Sequence, residues 1–162
     1  MTGLVYDAMM FARAAHAGHL RKYTGNPYHD HLAEVAGIVA SVCTLQEAIA
    51  VAWLHDMVED CGVSLQRIDE LFGTTVAIGV SGLSDVETGN RAERKAKSRE
   101  RLAACSGWIQ TIKCADLISN TSSIVKHDPD FAKVYLEEKR LLLGVMTKAD
   151  PRLRNLAMEM CQ

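Results

Sequence analysis

Thr44-Leu45-Gln46-Glu47-Ala48-Ile49-Ala50-Val51-Ala52-Trp53-Leu54-His55-Asp56-Met57-Val58-Glu59-Asp60 is the stretch that decides the fold class. Its pattern predicts a helix that starts at Thr44 as N-cap, with Glu47 three residues on as the capping-box partner. The helix is expected to continue through Ala50, Val51, Leu54 and Val58 and to stop at Gly62. Polar functions then emerge from its apolar part: His55-Asp56 first, Glu59-Asp60 one turn later. One helix face thus offers an imidazole and a carboxylate, followed by two more carboxylates. A solvated last turn explains Glu59 and Asp60. It does not explain His55-Asp56 directly after the most apolar run, and acidic groups at a helix C-terminus oppose the dipole.

Helical spacing extends outward in both directions. Leu4, Val5, Ala8, Met9, Ala12 and Ala15 recur at intervals of three and four, predicting a helix from Leu4 to His19. A polar turn follows, Arg21-Lys22-Tyr23-Thr24-Gly25-Asn26-Pro27-Tyr28, and then a helix from His31 to Ser41. Ser64 caps a short helix that Gly73 closes. Thr74 to Gly82 fits a short helix or a strand, and the helix is preferred. Ser84 to Asn90 is polar and reads as the most mobile loop. Arg91 to Cys105 forms a charged helix, Gly107 interrupts, and Ile109 to Val125 is apolar-rich. Asp128-Pro129 and Asp150-Pro151 start the last two helices, because the carboxylate caps free amides and Pro lacks one. The expectation is one all-α domain over residues 1–162, a bundle of about seven or eight helices.

Composition narrows the function classes. The chain has 162 residues, 48% apolar, with 18 basic and 20 acidic side chains and a net charge of −2. Such a chain buries roughly 70% of its unfolded surface and needs no staple. Balanced charge and a pI near 6.3 argue against a nucleic-acid surface or an acidic membrane, though not against a small anion. No apolar run approaches the ~20 residues of a membrane span. Near the N-terminus Asp7 and Arg13 interrupt what would be a signal peptide's apolar stretch. Cysteines at 43, 61, 105, 114 and 161 are odd in number and lack metal-binding spacing, so they read as reduced thiols of a cytoplasmic protein.

Two further clusters bear chemistry. His29-Asp30-His31 follows the Pro27 turn, and Asp116 lies among aliphatic neighbours in Ile112-Lys113-Cys114-Ala115-Asp116-Leu117-Ile118, with Asn120 one turn on. A carboxylate there needs a partner or a shifted pKa. His31, His55, Asp56 and Asp116 together supply imidazole and carboxylate donors from separate helices, as a catalytic divalent ion requires. Glu59 or Asp60 is then placed to position a water or carry its proton.

This ordered set resembles the HD superfamily of metal-dependent phosphohydrolases, and in detail its alarmone-hydrolase branch, the RelA/SpoT hydrolase domain and the small alarmone hydrolases. The matching residues are Ala14-Ala15-His16-Ala17-Gly18, Arg21-Lys22, Gly25-Asn26-Pro27-Tyr28 leading to His31, His55 to Asp60, Ile68 to Gly73, and Ile112 to Asp116 ending at Asn120-Thr121. The resemblance implies hydrolysis of the 3′-pyrophosphate of ppGpp or pppGpp, a small-molecule nucleotide, to GDP or GTP and pyrophosphate. It implies manganese (Mn2+) held by His31, His55, Asp56 and Asp116, with Glu59 and Asp60 serving the attacking water. It also implies Arg21 and Lys22 in the nucleotide pocket and Asn120 at the ribose or phosphate end. Tyr28 either packs beside the base or anchors its turn. Departures occur at Leu32, where the family commonly has Pro, in the Tyr23-Asn26 loop, and at Ser81-Asp85.

The same metal set also suits an HD phosphatase acting on a nucleoside monophosphate or NADPH. A non-catalytic nucleotide sensor is the third reading. Glu59 and Asp60 argue against the sensor, since a binding module gains little from extra carboxylates beside an anionic ligand. The donor types equally suit zinc, cobalt or nickel.

Overall fold

The computed structural model describes residues 3–162 and is all-α. The chain divides between Ser84 and Asp85 into two compact units.

The first unit holds α1 (Leu4–Ala15), α2 (His29–Ala40), α3 (Gln46–Leu54), α4 (Met57–Cys61), α5 (Leu65–Phe72) and α6 (Thr74–Leu83). Helix α3 is its axis: Ala48, Ala50, Val51, Ala52, Trp53 and Leu54 are all buried, and α1, α2 and α6 pack around it. A helix apolar on every side is stable only when enclosed in this way. Enclosure also explains why its predicted cap is not used. Thr44 is exposed, Leu45 is the N-cap without any side-chain hydrogen bond, and the first amides reach the Leu45 carbonyl. Tertiary burial, rather than capping, carries a helix of this kind.

The expected unbroken helix through Val58 is also corrected. It breaks at His55-Asp56, where Asp56 adopts φ −98°, ψ 4°, a bridge-region conformation common at functional sites. The Asp60 amide still bonds to the Asp56 carbonyl at 2.9 Å, so those two residues keep their one-turn relation. Gly62 closes α4 at φ +65°, where a Cβ would be strained. Helix α1 stops at Ala15 rather than His19, and residues 16–19 fold into a turn with the His19 amide on the His16 carbonyl, 2.9 Å. Ser64 caps α5 by accepting from the Arg67 amide, and Thr74–Leu83 is helix rather than strand. Leu32 is fully buried in α2. It contributes to the core at the position where the family pattern has Pro.

The second unit holds α7 (Arg91–Ala104), α8 (Gly107–His127), α9 (Pro129–Val145) and α10 (Pro151–Met160). Both Asp-Pro starts are present: Asp128 accepts from the Phe131 amide at 3.3 Å and Asp150 from the Arg152 amide at 2.9 Å. Gly107 opens α8 because a Cβ there would lie 2.4 Å from the Lys148 carbonyl oxygen. Residues 85–90, expected to be mobile, are anchored to α7 by Arg101 pairing with Asp85 and Glu87 and by Lys97 donating to the Thr88 carbonyl. The break at His55-Asp56 divides one expected helix into α3 and α4, whereas the break at Gly73 falls where the sequence places it. No helix is long and apolar enough to cross a membrane among the described residues.

Candidate metal centre

In the first unit, α2 contributes His31 from its first turn, and the α3–α4 break contributes His55 and Asp56. Both imidazoles are 2% exposed. His55 Nδ1 lies 2.7 Å from the Ala52 carbonyl oxygen, which only accepts, so Nδ1 carries a proton and Nε2 is the nitrogen turned to a ligand. That Nε2 stands 3.1 Å from Asp56 Oδ2, and His31 Nε2 is 3.8 Å from the same oxygen. An imidazole lone pair and a carboxylate oxygen repel at such a distance unless a proton or a cation lies with them. The donors therefore fit a divalent ion of the kind that imidazole and carboxylate bind.

Tyr28 holds this arrangement in place. Its hydroxyl donates to Asp56 Oδ2 at 2.6 Å, and its ring stacks on His16 with centroids 4.8 Å apart. The sequence left Tyr28 between the base and its turn; these contacts assign it to orienting Asp56.

Glu59 and Asp60 are exposed on α4 and line an open cleft of about 500 Å³ with His19, Leu20 and Tyr28. Partial burial, then the negative charge of Asp56, raises the Asp60 carboxyl above its ordinary range; Tyr28 and the nearby histidines offset part of this. Asp60 is thus a better proton acceptor than a solvated carboxylate. Arg21 and Lys22 lie on a turn closed by the Leu20–Pro27 bridge and by the Arg21 amide on the Asn26 carbonyl, 2.8 Å. Arg21 is half-buried; Lys22 is exposed with its ammonium 5.1 Å from the Tyr23 ring centroid.

In the second unit Asp116 is 6% exposed on α8. Lys113 Nζ donates to its Oδ2 at 2.9 Å, and Asn120 donates to its Oδ1 at 3.0 Å. Burial pushes the Lys113 ammonium toward losing its proton, but Asp116 and Asp85 outweigh this and hold it charged. Beside them Lys139 is 8% exposed, and burial, with Lys113 and Lys95 adding repulsion, brings its pKa down to about 7. Lys139 was not singled out from sequence: its neighbours Glu138 and Arg140 give the local pattern of a solvated face. His16, His19 and Cys61 were likewise overlooked as a group, since 45 residues separate His16 from Cys61.

Residues 8–107 match the HD domain family model, a span that runs through both units. The chain is 31% identical over 132 residues to the guanosine-3′,5′-bis(diphosphate) 3′-pyrophosphohydrolase MESH1 of Danio rerio, covering 80% of this chain and 73% of that protein. It is 35% identical over 127 residues to the guanosine-3′,5′-bis(diphosphate) 3′-pyrophosphohydrolase of Haemophilus influenzae, covering 75% of this chain but 19% of that longer protein. A solved structure of a metazoan SpoT orthologue that hydrolyses ppGpp superimposes with a TM-score of 0.88 at 23% identity, covering 99% of this chain and 94% of that one. With residues 8–107 matched and a curated relative covered over most of its length, this chain belongs to the HD domain family.

Proposed function

We propose that this chain is a metal-dependent hydrolase of the 3′-pyrophosphate of ppGpp and pppGpp, yielding GDP or GTP and pyrophosphate, and that residues 1–162 work as one HD hydrolase domain. The convergence of His31 and His55 on Asp56, with Tyr28 fixing the carboxylate, carries the reading. The named activities of the Danio rerio and Haemophilus influenzae relatives supply the substrate.

His31, His55 and Asp56 hold the metal, and Asp116 joins them on the strength of the family pattern; manganese is the proposed ion. When bound, a divalent cation acidifies a water and polarises a phosphoryl oxygen. The chain's own residues do the rest. The raised proton affinity of Asp60 suits it to take the proton of the attacking water at a carboxylate oxygen, while Glu59 orients that water. Arg21 and Lys22 neutralise phosphate charge at the nucleotide, and Asn120 contacts the ribose or phosphate end. Tyr28 is a positioning residue acting through Asp56.

The test is a substrate panel with manganese-loaded protein: ppGpp, a nucleoside monophosphate and NADPH, with products separated by anion exchange. The expected outcome is GDP and pyrophosphate from ppGpp. Inertness toward ppGpp alongside cleavage of NADPH or the monophosphate would replace the reading by that of a different HD phosphatase.

A further inference from the structure

A second group of metal donors lies in the first unit, outside the residues assigned above. His16 follows α1, His19 ends the next turn, and Cys61 is the last residue of α4. The His16 and His19 Nδ1 atoms are 3.2 Å apart, and Cys61 Sγ is 3.5 Å from His16 Nε2. One donor atom from each of the three residues lies within 4.8 Å of the other two. A tetrahedral zinc ion, with bonds of about 2.0–2.3 Å, sets its nitrogen and sulfur ligands roughly 3.3–3.7 Å apart. One ion can bind only one His16 nitrogen, and the two short distances run to opposite nitrogens of that ring, so His19 must turn its imidazole toward the Cys61 side, for which it has room because it is exposed on its turn.

His16 is held in place from both sides. It is 1% exposed, stacked on Tyr28, and its neighbour Ala15 accepts a hydrogen bond from Cys61 Sγ at 3.6 Å. Burial, followed by repulsion from neighbouring histidines, lowers its proton affinity despite the pull of Asp56, so the ring stays neutral and keeps a lone pair to offer. The Cys61 thiol is protonated without a metal, because burial and then Asp60 and Asp56 disfavour the thiolate. A cation binds by displacing that proton to solvent and forming a metal–sulfur bond. A cleft lined in part by His16 and His19 gives the ion a path in and room for a water ligand.

The donor types set the ion. Two imidazoles and a thiol select a borderline-soft cation and disfavour magnesium and calcium, whereas His31, His55 and Asp56 contain no sulfur. We propose that His16, His19 and Cys61 form a second, thiophilic metal site for Zn2+, separate from the hydrolytic metal set. It rests on geometry within the first unit and stands whether or not ppGpp is the substrate.

The test is spectroscopic. Chelator-stripped full-length protein is titrated with Co2+, with the sulfur-to-cobalt charge-transfer band and bound metal per chain as readouts. The wild type is expected to take up a second equivalent that carries this band, and added Zn2+ should bleach it. Cys61→Ser and His19→Ala, mild changes at partly or fully exposed positions, should each lose the band and that equivalent. Cys43→Ser and Cys105→Ser should keep both, and His55→Ala should keep the band while losing the other equivalent. Absence of the band in the wild type, or its persistence in Cys61→Ser, would overturn the proposal.

Discussion

The two units bury charge-bearing groups in opposite ways. Residues up to Ser84 bury three imidazoles, His16, His31 and His55, the side chains that bind a cation through a ring nitrogen. Residues from Asp85 onward bury an amine, Lys139, and largely bury another, Lys113, whose charge is balanced by Asp116 and Asp85. A buried neutral imidazole tolerates desolvation and welcomes a cation. A buried ammonium needs a carboxylate or gives up its proton. The first unit is therefore built to acquire positive charge and the second to contain the charge it already has.

The largest expected effect tests the first half of that contrast. His55→Ala should lose the hydrolytic metal equivalent and ppGpp turnover together, measured by metal analysis after desalting and by pyrophosphate release. Turnover at wild-type level would mean that the imidazoles are only core residues.

Asp116→Asn tests the second half. It leaves Lys113 without its nearest counter-charge, and losing one partner of a buried pair costs about 3–5 kcal/mol. Urea unfolding should record that loss along with reduced metal retention. An unchanged midpoint would show that Asp85 alone suffices for Lys113.

Glu59→Gln should leave the metal in place and lower kcat by roughly 100-fold or more. Full activity would remove Glu59 from the mechanism.

Lys139 gives the contrast a pH signature. Its folded-state pKa of about 7 lies below the ordinary 10.5, so the folded chain prefers it uncharged. Its penalty to stability is absent above pH 10.5, grows as pH falls, and is complete below about pH 7. Between those limits it should make stability rise with pH by at most about 1.4 kcal/mol per unit. Lys139→Met should flatten that slope in unfolding curves collected from pH 7 to 10. An identical slope in the variant would mean that the ammonium stays charged when folded.

Tyr28→Phe carries the smallest expected effect. Deleting the hydroxyl that holds Asp56 should weaken metal affinity about 10-fold, within the range for groups that orient a ligand, while the retained ring keeps its stack on His16. Unaltered metal affinity would leave Tyr28 with a packing role only.

Much of this molecule was legible in order of residues. Helical spacing identified the class, Ser64, Asp128 and Asp150 cap where their chemistry says they should, and the apolar run before His55 marked a buried helix delivering polar groups. What failed did so because tertiary forces outrank local ones. Thr44 carries the right side chain for a cap, yet α3 is held by burial on every side and starts without it. The helix expected to run through Val58 breaks because Asp56 takes a conformation that lets it meet Tyr28, 28 residues away in sequence.

By itself, the sequence determined which side chains have the chemistry: imidazoles and carboxylates in a fixed order, apolar periods that bury the helices carrying them, and a family pattern that ties them to phosphate ester cleavage. Only the tertiary structure decided how they meet. It placed His55 Nε2 against Asp56, gave Tyr28 to that carboxylate, and brought His16 and His19 together with Cys61. The physical reason is range. Propensity, capping and periodicity act over a few residues and can be read along the chain, whereas proton affinity and ligand geometry depend on groups that become neighbours only once the core has closed.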